Sequence, residues 1–479
     1  MVFSSLVFLL LFFTASILLY YLVPFRLKNA VILLSGIVFY AWGEPIYVVV
    51  MLLSTMIDYC AGLIMSRFEG RTLPRRVCLI VSIVMNLGLL GVFKYSGFIA
   101  ENINLVAGRE LIDPARMYFF GLDFLPMNLL PIGISFFTFQ SMSYTIDLYR
   151  GKIAVQKNPI TFAAFVTLYP QIVAGPIVRY EDVAAELDSR KIDLDLIYSG
   201  IVRFITGLGK KVLLANGIGQ LWEAANAAAP GELSVLTAWL GVVGYTLQIY
   251  FDFSGYSDMA IGLGEMMGFH FPENFDYPYL SKSVSEFWRR WHMTLGQWFK
   301  SYVYFPLGGS KKGMGRTVFN LAVVWFLTGV WHGASWNFIL WGTLYGVVII
   351  LEKLFLGRLL AKLPSAIGWL YTMLLVVLGW VLFASADLSS TFGYIGAMFG
   401  GSGVLCDDTA LYLLLNYGIL LVVGVFAATD AWKVMTERLG ERMPTMVAYA
   451  TPVLKLGVLL LCIAYLSDAS YNPFLYFNF

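Results

Sequence analysis

Charged residues are scarce in this sequence: Lys, Arg, Asp and Glu make up only 13% of its 479 residues. Soluble domains contain about 25% charged residues. Hydrophobic residues make up 59% of the chain, which leaves too few polar side chains to cover a water-soluble surface. The same composition excludes a disordered chain, since such chains are poor in apolar and aromatic residues. The composition therefore predicts an all-α polytopic membrane protein.

Cysteine is also rare, and its positions exclude further classes of protein. The four Cys, at positions 60, 78, 406 and 462, form neither a C-x-x-C pair nor the spacing of a zinc site. This excludes a secreted disulfide scaffold and predicts no metal site. The P-loop, GxGxxG, HExxH and GxSxG motifs of soluble enzymes are absent as well, so no tightly bound cofactor is predicted.

The net charge is only +2, but the basic residues are unevenly distributed. Between positions 282 and 316 the chain holds seven basic residues and one acid. In a membrane protein such a cluster indicates a loop on the cytoplasmic side of the lipid bilayer. We therefore predict a cytoplasmic loop here and no nucleic-acid partner.

The first apolar run, residues 3–23, is uncharged and is followed by Arg26 and Lys28. This pattern predicts a retained first span with its N-terminus outside, since a signal peptide would begin with basic residues. Several later apolar runs are shorter than the roughly 20 residues of a crossing, which favours re-entrant and interfacial helices among the spans. Because no repeat or linker divides the chain, we predict a single membrane-embedded domain over residues 1–479.

No charged residue occurs between Arg316 and Glu352, a stretch of 35 residues. As one helix this stretch would be about 52 Å long, whereas a crossing needs about 30 Å. Both flanks are basic, so we predict a hairpin that breaks at residues 331–337 (WHGASWN). The hairpin places His332 deep in the membrane, where an ionisable residue is a candidate functional site. A buried neutral imidazole can take a proton from a hydroxyl, although a structural hydrogen bond to a neighbouring helix also fits this position.

A second His lies in a different segment. Residues 283–286 (SVSE) fit a capping box, and residues 287–299 have helical spacing with one apolar, largely aromatic stripe. His292 falls on that stripe, whereas Arg289 and Arg290 favour the other face. An interfacial anchor helix explains the stripe and the Arg pair, but not a His on the apolar face. The Arg pair also suits the phosphates of a cytoplasmic cofactor, because Arg makes bidentate phosphate contacts.

Two carboxylates, Asp252 and Asp258, lie in an otherwise hydrophobic stretch and need partners there. Ligation of a metal or orientation of a His would supply them. The favoured interpretation is ionic pairing with basic residues upstream, which are Arg203, Lys210 and Lys211. We assign no role to His270, which lies at the entry to a loop.

Four segments form distinctive motifs: residues 250–258 (YFDFSGYSD), 286–292 (EFWRRWH), 304–309 (YFPLGG) and 327–336 (LTGVWHGASW). Supporting stretches are residues 130–139 (LPIGISFFTF), 169–180 (YPQIVAGPIVRY) and 470–476 (SYNPFLY). Together these segments resemble the membrane-bound O-acyltransferase family, in order and over nearly the whole chain. More specifically, they resemble the bacterial branch of this family that contains the membrane subunit of alginate O-acetyltransferase.

The resemblance implies a ring of about 11 tilted transmembrane helices, with re-entrant and interfacial helices, in which a cytoplasmic and an outward cavity meet near a catalytic His. The family's invariant His corresponds to His332, and its second functional position corresponds to His292. The implied donor is a cytoplasmic acyl thioester, acetyl-CoA in this branch. The implied acceptor is a hydroxyl on a separate extracytoplasmic SGNH-type acetyltransferase, which then acetylates a polysaccharide. The implied location is the bacterial inner membrane.

These implications agree with the chemistry of the residues. A thioester is already activated, so its transfer mainly needs a base, orientation and stabilisation of the oxyanion. We expect His332 to deprotonate the acceptor hydroxyl and His292 to position the thioester or stabilise the developing charge. Arg289, Arg290 and Trp331 are the candidate donor-binding residues, with the Arg pair on the phosphates of CoA.

Two other functions stay open at this point. The same family contains D-alanyl transfer proteins of teichoic acid modification, whose donor is a carrier-protein thioester. A transporter that moves an acetyl donor or a sugar without making bonds would also have broken helices and intramembrane Asp residues. Transporters usually show repeat symmetry, which this sequence lacks.

Overall fold

The computed structural model describes residues 1–114, 117–121, 126, 130–468, 473 and 475. Within these residues the chain is helical, apart from one isolated bridge between Tyr118 and Pro126. Eight of the described helices are long and apolar enough to cross a membrane, so the predicted all-α polytopic class is confirmed. The predicted number of about eleven spans is not confirmed, because apolar helices such as Ile134–Tyr149, with 16 residues, are too short for a full crossing.

The helices fall into two compact units. The first comprises Met1–Ile201 and Ala260–Pro272, and the second comprises Val202–Met259 and Glu273–Phe479. The interpretation of residues 1–479 as one domain stays a prediction.

Polar side chains hold helices together in the first unit. The helices that begin there are α1 Val7–Leu22, α2 Phe25–Gly43, α3 Val48–Arg67, α4 Thr72–Ala107, α5 Ile134–Tyr149, α6 Pro159–Val166, α7 Tyr180–Asp188 and α8 Leu194–Gly209. The buried carboxylate of Asp58 on α3 accepts hydrogen bonds from Ser82 and Asn86 on α4. Ser54 of α3 donates to Asn86 Oδ1 at 2.6 Å. Because a polar group in hydrocarbon must find its partner inside the protein, this cluster fixes the pairing of α3 with α4.

The second unit contains both predicted site histidines. The helices that begin there are α9 Asn216–Asn226, α10 Val235–Met266, α11 Val284–Arg290, α12 Met293–Phe299, α13 Met314–His332, α14 Trp336–Leu351, α15 Ser365–Ala384, α16 Leu388–Met398, α17 Asp408–Ala427, α18 Ala431–Arg442 and α19 Pro444–Asp468. Its core is rich in large aromatic residues, of which Trp341, Tyr345 and Trp380 are fully buried. Such rings fill a core densely and leave little room for water.

Helices α13 and α14 form the hairpin that the charge-free stretch predicted, and the break falls at residues 333–335. The two helices cross where Gly329 faces Gly342. A Cβ atom added to Gly342 would lie 2.5 Å from the carbonyl oxygen of Trp325 and 2.7 Å from the Cα of Gly329. Only glycine permits two backbones to approach so closely, so this crossing fixes the position of the last turn of α13.

The short helix α11 is capped by a carboxylate that follows α14. Glu352 is buried and accepts hydrogen bonds from the backbone N–H groups of Val284 and Ser285, both at 2.8 Å. The predicted capping box is present in part. Ser283 Oγ accepts from Glu286 N at 3.0 Å, but the Glu286 carboxylate accepts from the residue before Ser283. Glu352 thus satisfies two N–H groups that have no partner within α11 and ties the start of this helix to the hairpin.

Replacing Glu352 by Ala should destabilise the protein by about 1–3 kcal/mol, because one buried and one half-buried backbone N–H group lose their acceptor. Glu352→Gln keeps one acceptor oxygen and should cost less. Thermal unfolding in detergent measures the effect as a lowered Tm. Glu286→Ala is the matched control, since its carboxylate caps the same helix but is partly exposed. An equal or smaller Tm loss for Glu352→Ala than for this control would contradict the interpretation.

Candidate active site

His332 is the last residue of α13 and is buried. Its ring centroid lies 4.9 Å from that of Trp341 on α14 and 5.3 Å from that of Phe383 on α15, and both contacts are edge-on. The hairpin therefore delivers the imidazole into an aromatic shell. Such a shell limits the access of water to any reaction at this ring.

The segment around His292 is not the single helix that its spacing predicted. Helix α11 ends at Arg290, α12 begins at Met293, and His292 between them has φ 45° and ψ 52°. A non-glycine residue in this left-handed region costs of order 1–3 kcal/mol and persists only when its surroundings hold it. The prediction was wrong because those surroundings lie outside the segment: Asp276 N donates to Arg290 O, and Met293 N donates to Asn274 O, each at 2.9 Å.

The Asn274 side chain holds the same break. Its Oδ1 atom accepts from Thr294 N at 3.3 Å and from Thr294 Oγ1 at 2.9 Å, and it lies 3.1 Å from His292 Nδ1. Its Nδ2 atom donates to Ser257 Oγ at 3.0 Å. Asn274 is 1% exposed, so one buried amide connects the start of α12, the His292 ring and helix α10.

The His292 ring is enclosed by other rings. Its centroid lies 4.7 Å from that of Phe253 and 5.9 Å from that of Trp331. Burial lowers the pKa of His292 to about 3, because the cationic form would lose its hydration. The imidazole is therefore neutral at physiological pH.

Both predicted site histidines line one cavity of about 250 Å³, here called the large cavity. Its apolar lining comprises Trp288, Trp291, Leu295, Phe299, Leu321, Val324 and Trp325. Four residues of the predicted stripe, which are Trp288, Trp291, Leu295 and Phe299, thus line this cavity together with His292. Lys300, Tyr304 and Thr328 add polar groups to the wall. A mostly apolar cavity with a few converging polar groups is typical of a small-molecule site.

A second cavity of about 20 Å³, here called the small chamber, also has His332 in its wall. The rest of its lining is Ile249, Asp252, Phe253, Trp291, Trp341, Trp380, Phe383 and Leu475. Trp291 and His332 belong to the walls of both volumes. The imidazole of His332 therefore stands where a large volume and a very small one adjoin.

Trp331 lies between the two histidines. Its ring centroid is 5.9 Å from that of His292 and 5.0 Å from that of His332, edge-on in both cases. In the described part of the chain Trp331 lines neither the large cavity nor the small chamber. Its contacts set the spacing of the two imidazoles.

The two predicted donor-binding Arg residues lie outside both cavities, as far as the described residues go. Arg290 pairs with Glu286 at 3.0 Å and with Asp276 at 3.6 Å, so two carboxylates balance its charge. Arg289 is exposed. Lys300 is the basic residue of this segment that reaches the wall of the large cavity.

The carboxylates of the 250–258 motif are paired with basic side chains. Lys211 Nζ lies 2.6 Å from Asp252 Oδ1, and both side chains are 3% exposed. Asp258 pairs with Lys210 at 2.6 Å and with Arg203 at 3.2 Å. The favoured interpretation of ionic pairing is therefore confirmed. Among the described residues, no three His, Cys, Asp or Glu side chains gather in a way that could hold a metal ion.

Sequence reasoning missed several residues that build this site. Asn274 stands in a loop with no motif of its own, and Trp341, Trp380 and Phe383 read as ordinary span residues. Lys300 gave a weak signal, since it falls on the polar side of the predicted helix. His270, to which no role was assigned, lies in the first unit with its Nδ1 2.6 Å from Glu186 Oε1.

Comparison with known proteins gives a family. The sequence pattern of the membrane-bound O-acyltransferase family matches residues 133–394, which include both site histidines. The chain is 37% identical to the probable alginate O-acetylase of Azotobacter vinelandii, and the alignment covers 100% of both chains.

More distant relatives act on other polymers. The peptidoglycan O-acetyltransferase of Helicobacter pylori is 31% identical over 85% of this chain and 81% of its own. The teichoic acid D-alanyltransferase of Bacillus subtilis is 30% identical over 48% of this chain and 61% of its own. The transporter interpretation has no counterpart among these enzymes. The chain thus belongs to the membrane-bound O-acyltransferase family, as its motifs indicated, and is a multi-pass membrane O-acyltransferase.

Proposed function

We propose that the protein moves an acetyl group from a thioester donor to a hydroxyl, with His332 as the general base. The observation that carries this proposal is the position of His332 in the walls of both the large cavity and the small chamber. A base at such a junction can reach a bulky donor on one side while a small group is held on the other.

The reaction needs little beyond this base. The hydroxyl oxygen attacks the thioester carbonyl carbon while a neutral imidazole nitrogen of His332 takes the hydroxyl proton. The carbon–sulfur bond then breaks, and the thiolate takes up that proton as it leaves, so the products are an O-acetyl ester and a free thiol. The surrounding aromatic side chains support this step, because they keep water from hydrolysing the thioester. His292 is the second proposed site residue, which positions the donor or stabilises the developing charge.

The size of the small chamber supports a short acyl group. A volume of about 20 Å³ holds one or two water-sized groups, since a single water needs roughly 10–15 Å³. Seven of the nine lining residues are aromatic or aliphatic, and Asp252 is already paired with Lys211. The chamber therefore suits a methyl group better than water or an ammonium group. This argument favours acetyl over D-alanyl transfer, because a D-alanyl donor would bring a charged amine into an apolar recess.

Lys300 supports a phosphate-bearing donor such as acetyl-CoA. Lys300 is a basic residue of the large-cavity wall, and ammonium groups bind phosphate as point charges. Arg289, Arg290 and Trp331 stay proposed donor contacts, with Arg289 the exposed member of the pair. The printed activities of the relatives support a polysaccharide as the final acceptor. The resemblance of the motifs supports a separate SGNH-type acetyltransferase as the protein that receives the acetyl group on the outer side of the inner membrane.

His332→Ala should lower acetyl transfer by about 10²- to 10⁴-fold, the usual contribution of a positioned general base. The assay is release of free thiol from acetyl-CoA by the purified protein with its acceptor, together with surface O-acetyl content in cells at matched protein level. His270→Ala is the matched control, because it removes an imidazole from the first unit and should change neither readout. Transfer by His332→Ala within a few-fold of the parent would reject the base role.

Enlarging the small chamber should weaken the preference of the enzyme for acetyl over longer acyl groups. One methylene in a tight apolar pocket changes the rate by about 10- to 200-fold, so the parent should strongly prefer acetyl-CoA to propionyl-CoA. Phe383→Val should raise the ratio of propionyl to acetyl transfer at least several-fold, because it removes an aromatic wall. This ratio does not depend on how much of the variant is folded.

The matched control for acyl selection is Leu382→Ala, which removes a buried side chain next to Phe383 that does not line the chamber. Its propionyl to acetyl ratio should equal that of the parent. A parent that transfers both groups equally well, or an equal change in the two variants, would show that the chamber does not select the acyl group.

Replacing Lys300 by Met should raise KM for acetyl-CoA about tenfold or more and leave kcat nearly unchanged, since a hydrogen bond to a charged group contributes about 1.5–3 kcal/mol. Acetyl-pantetheine, which has no phosphate, should bind the variant and the parent alike. Lys311→Met serves as the control, because this exposed Lys lies in the same basic segment but not in the cavity wall. An equal rise in KM for both donors would contradict the phosphate contact.

A further inference from the structure

We infer that Asn274 holds His292 in the neutral tautomer whose proton is on Nδ1, so that His292 meets the substrate as a hydrogen-bond acceptor through Nε2. Asn274 is then a positioning residue that acts through His292. The assignment of the tautomer depends only on the geometry of the site. Its consequence for the substrate rests on the proposed function, and it decides between the two roles that were left open for His292.

The orientation of the Asn274 amide is the first step. A backbone N–H group can only donate, so the amide atom that faces Thr294 N at 3.3 Å must be the oxygen. The opposite amide atom, Nδ2, is a donor and finds the Ser257 hydroxyl at 3.0 Å. The Thr294 N–H contact requires this orientation of the amide, and the Ser257 hydroxyl, which can accept as well as donate, is compatible with it. The amide therefore presents an oxygen to His292.

The ring of His292 supplies the second step. Its Nδ1 atom lies 3.1 Å from Asn274 Oδ1. Because this amide oxygen carries no hydrogen, the two atoms form a hydrogen bond only if Nδ1 carries the proton. The ring is 2% exposed and is enclosed by Phe253 and Trp331, so a second proton would leave a cation in an apolar shell. The neutral ring has one N–H group, and with that on Nδ1 the lone pair belongs to Nε2.

This tautomer restricts what His292 can do in the large cavity. A lone pair repels an oxyanion, so His292 in this form does not stabilise the negative charge of the tetrahedral intermediate. Nε2 is itself buried, and a molecule in the cavity that reaches it has to donate an N–H or O–H group to it. The pantetheine arm of a CoA-type or carrier-bound thioester carries two amide N–H groups, and we assign one of these as the partner of Nε2. His292 thereby positions the donor arm while His332 takes the hydroxyl proton.

The first test is nuclear magnetic resonance of the full-length protein in detergent, with ¹⁵N in its histidine rings. The chain has only three His, so His270→Ala and His332→Ala assign the signals. The His292 ring should show a protonated Nδ1 and an unprotonated Nε2. Asn274→Leu should abolish this pattern, whereas Asn274→Asp should retain it because its carboxylate still accepts.

The matched control is Thr294→Val, which removes a hydroxyl donor to the same Asn274 oxygen and leaves the amide in place. The His292 pattern should persist in this variant. A protonated Nε2 on His292 in the parent, or a doubly protonated ring, would overturn the inference whether or not the protein transfers acetyl groups.

Kinetics test the consequence for the substrate. His292→Gln keeps an acceptor oxygen near the position of Nε2, and His292→Leu keeps none. With acetyl-CoA, His292→Leu should raise KM about threefold to tenfold with little change in kcat, as expected for one lost neutral hydrogen bond. His292→Gln should recover most of that loss. A fall in kcat at constant KM in His292→Leu would indicate charge stabilisation and overturn the acceptor role, while loss of transfer in His332→Ala alone would still support the proposed function.

Discussion

The site depends on the amide of Asn274, because this amide hydrogen-bonds groups at the break between α11 and α12, where the helical hydrogen bonds are interrupted. Helices α11 and α12 stop on either side of His292, and the backbone there adopts a left-handed conformation that an L-residue rarely takes. Inside a protein an interruption of a helix is tolerated only where other protein groups replace the missing hydrogen bonds. Asn274 supplies those groups with its side chain and its backbone oxygen, and the loop to Asp276 supplies the rest.

The sequence predicted the parts of this site that depend on local rules. A stretch without charge that is too long for one crossing predicted the α13–α14 hairpin and the position of His332 at its turn. Because an unpaired charge in a hydrophobic stretch is energetically unfavourable, the sequence also predicted that Asp252 and Asp258 pair with upstream basic residues. The break at His292 could not be predicted this way, because helical spacing continues through it and the atoms that hold it lie 16 to 18 residues earlier. The walls of the small chamber come from four separate helices, the break between α11 and α12, and the C-terminal segment, so only the tertiary fold brings them together.

Asp252, in the wall of the small chamber, and Arg290, next to Trp291, are held in ion pairs. Arg290 is balanced by Glu286 and Asp276, and Lys211 is balanced by the buried Asp252. A buried charge left unpaired would cost several kcal/mol, so the pair of Lys211 with Asp252 is a condition of the fold. His332 stands at the junction of the two volumes, and the neutral, ring-enclosed His292 lies in the wall of the large cavity.

The glycine crossing of α13 and α14 fixes the backbone that carries the base His332. This position therefore does not depend on the side chains that line the large cavity. Gly329 lies three residues before His332, and its contact with Gly342 is made by backbone atoms alone. Wall residues of the large cavity such as Leu295 can therefore be exchanged during evolution or in the laboratory without shifting the backbone that carries the imidazole. A scaffold of this kind keeps its chemistry constant while its substrate range is rebuilt one side chain at a time.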